Sequence, residues 1–259
     1  CWDDTQKLLY HAFCSEPRSK TWAAKAEIWT EAQTNTSSWR GMSAAGHSAA
    51  FWGRAEGWYF LALVDVLEQM QIAGLDSESD PNHSCYTTLK DYLDKLAAGI
   101  MAKQDATGCW YQLIAENGDY SASYYGGKTY SATSNYLESS CTAIFTAAYL
   151  KAIRLGLLDK TTYEETATKA YKGMIAQFMK QRTDGTVDLL GCCKSAGLGT
   201  STEFGNDKFR DGSNAYYLLG KDVPPTSSSN SSDYYTEGKV MGAFIMAATE
   251  YERANEKDI

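Results

Sequence analysis

Apolar residues recur with a helical period in five stretches of the chain. Residues 51–71, FWGRAEGWYFLALVDVLEQMQ, place Trp52, Ala55, Tyr59, Ala62, Val66 and Met70 on one stripe, and Gly74 follows as a stop. Residues 86–103 repeat Leu89, Leu93, Leu96 and Ile100, with charges opposite. Residues 137–155 are apolar almost all round and end at Gly156, which predicts a buried helix. Residues 162–180 are amphipathic, and residues 237–254 run from small and apolar to charged. No run of strand alternation competes with these, so the pattern predicts an all-α class.

The connections add topology. Those at 72–85 and 156–161 are short, whereas 12–48, 104–136 and 181–236 are long. Successive packed helices run antiparallel, so alternating short and long connections place the long loops at one end of the bundle. Each long stretch opens alike: DDTQKLLYH (3–11), DATGCWYQL (105–113) and RTDGTVDLL (182–190). A polar turn followed by a short apolar run predicts a small hairpin that repeats, unevenly spaced, with the helix pair. Helix pairs stacked around a common axis would make an α/α toroid over residues 1–259. The helices starting near 51, 137 and 237 then bring their N-terminal partial positive charge to the loop face, a setting that attracts anions.

Composition narrows the function classes. A net charge of −8 over 259 residues, with no basic run, argues against a nucleic-acid partner. Every apolar segment is interrupted before 18 residues, so no membrane span is expected. The seven cysteines lack CxxC spacing, and the three histidines form no HExxH, so neither a metal nor another cofactor is expected. The pair Cys192-Cys193 reads as packing rather than redox chemistry. Sequons at Asn35, Asn82 and Asn230 leave the compartment open, with a secreted or periplasmic location favoured over a cytoplasmic one.

The candidate chemistry lies in FWGRAEGWY (51–59). Arg54 falls in the first turns of its helix, where the macrodipole disfavours a cation, and four residues before Trp58. A carboxylate would relieve it, because guanidinium pairs bidentately with carboxylate. Trp52 and Trp58 would then wall a sugar ring, making a site for an acidic sugar. The alternative is that Arg54 pairs with an internal Glu or Asp and the tryptophans are core.

That stretch, together with LLYHAF (8–13), YLESSCTAIFTAAYLKAIRLG (136–156), FRDGSNAYYL (209–218) and EGKVMGAFIMAATEYERA (237–254), closely resembles glycoside hydrolase family 105 and its relative family 88. These are unsaturated uronyl hydrolases, and the resemblance runs through nearly the whole chain in the same order. It implies an (α/α)6 barrel with the active site on the loop face, no metal, and removal of a 4,5-unsaturated uronic acid from short pectin- or glycosaminoglycan-derived oligosaccharides. An aspartic acid would protonate C4 while water adds at C5. The positions carried onto the active-site pattern are His11, Trp52, Arg54 and Trp58, with His11 and Arg54 catalytic and the tryptophans binding substrate.

The family's proton-donating aspartate precedes the YHA element, and only ten residues precede His11 here. Asp3 and Asp4 belong to the hairpin leading to His11 and are not expected to be the acid. The chain therefore reads as the C-terminal portion of the family fold, an incomplete barrel. Its catalytic Asp would lie outside this sequence, and a missing N-terminal segment or another chain would pair with it. Glu138 and Glu237 occupy dipole-favoured helix starts, and Asp211 reads as a turn residue beside Arg210. His47 and His83 sit in polar loops, and residues 224–232, PPTSSSNSS, read as a flexible loop. Two other readings compete: a catalytically incapable half-barrel that binds acidic carbohydrate, and a helical scaffold that docks another chain.

Overall fold

The computed structural model describes residues 1–13, 47–122, 133–193, 196, 198–200, 209–211, 214–219 and 238–255. In chain order the elements are β1 (Trp2–Asp3), β2 (Leu8–Leu9), α1 (Gly53–Ile72), α2 (His83–Met101), β3 (Ser121–Ala122), β4 (Thr133–Ser134), α3 (Ser139–Arg154) and α4 (Lys160–Phe178). There follow β5 (Met179–Gln181), β6 (Val187–Leu189), β7 (Leu198–Thr200), β8 (Phe209–Asp211), α5 (Asn214–Leu219) and α6 (Gly238–Asn255). The fold is all-α: among the described residues the strands form two-stranded antiparallel pairs, β1-β2, β3-β4, β5-β6 and β7-β8.

Helix α3 is the hub, packed against α1, α4 and α6, while α1 also packs on α2. Its burial follows from its composition: apart from Lys151, Ile153 and Arg154 in the last turn, every residue from Ser139 to Arg154 is buried. Only a helix without a polar face can touch neighbours on several sides. The ends are set locally. Glu138 caps α3 by accepting the Cys141 N–H at 2.7 Å, and Gly156 stops it with φ +70°. Asp159 caps α4 through Thr162 N–H at 2.8 Å, and Gly74, φ +75°, ends the turn after α1.

The five predicted long helices stand within a few residues of their expected bounds. The stripe expected on α1 is corrected. Tyr59 and Val66 are 40% and 46% exposed, and the buried face carries Gly53, Gly57, Phe60, Val64 and Leu67 instead. Glycine decides this: a Cβ on Gly53 would come within 2.9 Å of Cys141 Sγ, and one on Gly57 within 3.0 Å of Ile144. The side without side chains is the side α3 can approach, and size-weighted periodicity overlooks it.

The hairpins expected at 3–11 and 182–190 appear as β1-β2, with Trp2 opposite Leu9, and as β5-β6, with Met179 opposite Leu189. At 105–113 the expectation is corrected. Asp105 and Gly108 close a tight turn, but the residues beyond it pair with the entries to α1 and α3 rather than with each other. Asp211, expected in a turn, is the last residue of β8, opposite Leu198. His47 is not in an uncommitted loop, since it bridges Phe13 and stacks on Tyr10 at 3.7 Å. Glu237 and residues 224–232 lie outside the described residues.

Candidate functional site

The site grows from a short ladder. Residues 110–114 run between the segments that enter α1 and α3. On one edge, Gly53 N–H donates to Gln112 O at 3.0 Å and Ile114 N–H to Phe51 O at 3.1 Å. On the other, Gln112 N–H donates to Tyr136 O at 2.8 Å and Glu138 N–H to Trp110 O at 2.9 Å. Ser139 N–H reaches Gly191 O at 3.0 Å, which draws in residues 191–193, and Val240 in the first turn of α6 packs against Cys192. The starts of α1 and α3 are thus joined by backbone hydrogen bonds, with that of α6 packed close by. Buried Asn135 holds the turn behind them, donating to Leu113 O and Glu116 O at 3.0 Å each and accepting from Leu113 N–H at 3.1 Å.

Arg54 lies at this junction, 3% exposed. Its Nε donates to Ser140 Oγ at 2.7 Å, and Nη2 reaches Glu138 Oε1 at 3.4 Å and the carbonyl of Cys193. Burial works against this charge, but the fields of Glu138 and then Cys193, Cys192 and Cys141 outweigh it and hold the guanidinium pKa above its ordinary value. Glu138, fully buried, also accepts from Cys193 N–H at 2.8 Å and from Ser140 Oγ at 2.8 Å. The carboxylate that Arg54 calls for comes from inside the fold. Of the two sequence readings of Arg54, the internal partner is present: one carboxylate caps α3, pairs with Arg54 and anchors Cys193. Cys192 and Cys193 are both buried, and burial pushes the Cys193 thiol up to about 11.

Beside this ion pair, half-buried His11 directs Nδ1 to the hydroxyl of fully buried Tyr217. Its ring meets Trp52 edge-on, with centroids 4.8 Å apart, and Tyr217 likewise at 5.4 Å. Trp52, 7% exposed, donates from Nε1 to Gln112 Oε1 at 3.1 Å, and Gln112 Nε2 donates to Tyr217 O at 3.2 Å. The Arg54 guanidinium carbon sits 5.5 Å from the Trp52 ring centre. Burial pulls the His11 pKa down to about 4, so the ring is neutral at neutral pH. Among the described residues its Nε2 has no hydrogen-bond partner.

The structure therefore brings together His11, Trp52 and Arg54. Trp58 enters none of these ring contacts and is 43% exposed. Sequence reasoning missed Gln112, Ser140 and Tyr217 as members of the junction. Tyr217 lies within FRDGSNAYYL, but no local periodicity distinguishes it from its neighbour Tyr216. Gln112 becomes visible only as a lone polar residue in the apolar run CWYQL.

Comparison with known proteins gives this geometry a setting. Residues 7–255 match Glycosyl Hydrolase Family 88. The chain is 34% identical over 179 residues to Protein Atu3128 of Agrobacterium fabrum, covering 68% of this chain and 65% of that protein. It matches the 24.9 kDa protein in picA locus of Rhizobium radiobacter to the same extent. A glycoside hydrolase from family 105 of C. acetobutylicum superimposes with a TM-score of 0.66 at 32% identity, covering 97% of this chain and 54% of that one. A possible family 105 member from Salmonella enterica, at 21% identity and a TM-score of 0.54, shares the fold. The architecture is of the α/α-barrel type, and the chain spans just under two thirds of the first relatives and about half of the solved structure.

Proposed function

The chain belongs to glycosyl hydrolase family 88, and on that premise we propose that it serves to remove a 4,5-unsaturated uronic acid from short pectin- or glycosaminoglycan-derived oligosaccharides. The match over residues 7–255 carries this reading, and the geometry suggests the roles. The reaction adds water across the C4–C5 double bond: a proton goes to C4, the water oxygen bonds C5, and the resulting hemiketal opens to release the remaining sugar. This is hydration of a vinyl ether, unlike the two-carboxylate displacement of most glycosidases.

His11 suits one part of this chemistry. As a neutral imidazole anchored at Nδ1 by Tyr217, it can accept a hydrogen bond at Nε2 from a sugar hydroxyl or from the attacking water. It cannot donate the C4 proton at neutral pH, having already lost its own near pH 4. We assign that donation to a carboxylic acid outside the described residues. Trp52 backs the His11 ring, and exposed Trp58 offers a face on which a sugar can stack. Arg54 acts through Glu138 and Cys193, fixing the wall without touching the sugar.

Unsaturated uronic acids absorb in the near ultraviolet, so the test is direct. The chain is incubated with an unsaturated uronyl disaccharide and its absorbance followed. Loss of absorbance supports the hydrolase reading. Binding without loss of absorbance would instead establish the alternative, an acidic-carbohydrate-binding domain. Neither binding nor loss refutes both and leaves a helical scaffold.

A further inference from the structure

Two residues beyond Arg54, a second ionisable side chain turns inward. Glu56 is 2% exposed. Its Oε1 accepts the Leu9 N–H at 2.7 Å, and its Oε2 has no hydrogen-bond partner. In the β1-β2 pair, Tyr10 N–H is taken by Cys1 O at 2.8 Å, so the Leu9 amide faces the other way, toward α1. The same hairpin presses on α2 where Gly99 leaves room, since a Cβ there would lie 2.0 Å from Lys7 O. The Glu56 contact is therefore a side-chain tie between α1 and the strand that leads directly into His11.

We propose that Glu56 is a positioning residue for His11, a neutral carboxylic acid that clamps β2 onto α1 through the Leu9 amide and so fixes the imidazole against Tyr217 and Trp52. The proposal rests on the reading of His11 given above. Burial, only partly opposed by the Leu9 N–H, raises the Glu56 pKa from 4.5 to about 8, in keeping with the neutral form. Among the described residues, only burial and the Leu9 N–H act on its charge, with no charged side chain as a partner. Tyr59 on α1 has its phenol pKa raised by burial and then by Tyr92 and Glu56. The hairpin contributes Asp3 and Tyr10, which bond each other at 2.8 Å. From α2 come Tyr92 and Lys95, and the Lys95 ammonium is held by Asp91 at 2.5 Å. Because the folded pKa lies above the unfolded one, the stability this buried acid contributes is fully present below 4.5 and is lost as pH rises through about 8.

The experiment compares wild type, Glu56→Gln and Glu56→Ala in the whole chain. Infrared spectroscopy of wild type at neutral pH is expected to show the carbonyl band of a buried carboxylic acid, absent from Glu56→Gln. Hydrogen exchange of the Leu9 amide, corrected for its intrinsic pH dependence, should lose about tenfold in protection per pH unit between 4.5 and about 8 in wild type. Protection in Glu56→Gln should stay flat, because the amide oxygen keeps the Leu9 bond without ionising. The His11 ring resonances should move in Glu56→Ala and return in Glu56→Gln. An ionised Glu56 at neutral pH, or Leu9 protection with the same pH dependence in wild type and Glu56→Gln, overturns the proposal even if Glu56→Ala fails to fold. None of these readouts needs sugar. Adding the unsaturated disaccharide tests the functional reading separately, and its failure to bind would refute that reading while the Glu56 signals stood.

Discussion

Replacing Glu138 with Ala separates two accounts of this carboxylate. As an N-cap alone, accepting from Cys141 N–H at 2.7 Å, it contributes about 1 kcal/mol. As the partner of a guanidinium that is 3% exposed, its removal strands a buried charge, which costs roughly 3–5 kcal/mol. Ser140 Oγ and Cys193 N–H lose their acceptor as well. Urea unfolding of Glu138→Ala at neutral pH is therefore expected to lose roughly 3–5 kcal/mol, with Arg54→Met alone losing a similar amount. The double variant Arg54→Met/Glu138→Ala should recover much of the loss, since the buried charge goes with its partner. A loss near 1 kcal/mol in the single variant, or strictly additive losses in the double, would refute the ion-pair account. The double variant also tests Arg54 against substrate. If the guanidinium only shapes the wall, affinity for the unsaturated uronyl disaccharide returns with stability. If it binds the uronate directly, affinity stays low in a stable protein.

Three further outcomes are expected. Gly99→Ala drives a Cβ toward Lys7 O at 2.0 Å, a backbone atom that cannot swing aside, so it should cost at least about 1–3 kcal/mol in thermal or urea unfolding and loosen the hairpin. An unchanged midpoint would show that the hairpin does not pack there. His11 should titrate near 4 by NMR. Its folded pKa lies below its unfolded value of 6.5, so its neutral burial favours folding above 6.5, and this contribution is lost as pH falls through about 4. Titration at the ordinary value would remove the burial argument. Trp58→Ala should weaken disaccharide binding several-fold while leaving unfolding within about 0.5 kcal/mol, because the ring is 43% exposed. Unchanged affinity would remove Trp58 from the site.

Much of the architecture is legible in the residues themselves. The all-α class, the near-complete burial of α3 and the stops at Gly74 and Gly156 follow from period, composition and backbone freedom, all properties of short stretches. The hairpins ahead of His11 and after α4 announce themselves by a polar turn beside an apolar run. Which face of α1 turns inward was not legible in the same way. Tyr59 and Val66 suit a core as well as Phe60 and Val64 do, and the choice belongs to α3, which approaches only across Gly53 and Gly57.

The site divides along the same line. From the sequence alone come the requirement that a cation in the first turns of α1 must find a carboxylate, and the family resemblance that places His11, Trp52 and Trp58 near it. Only the tertiary structure decides that the carboxylate is Glu138, 84 residues away, and that Gln112 and Tyr217 complete the junction. The physical reason is range. Helical period and capping depend on neighbours a few bonds distant, whereas the charge state and partner of a buried group depend on how much water the whole fold removes and on what distant segments place in its stead.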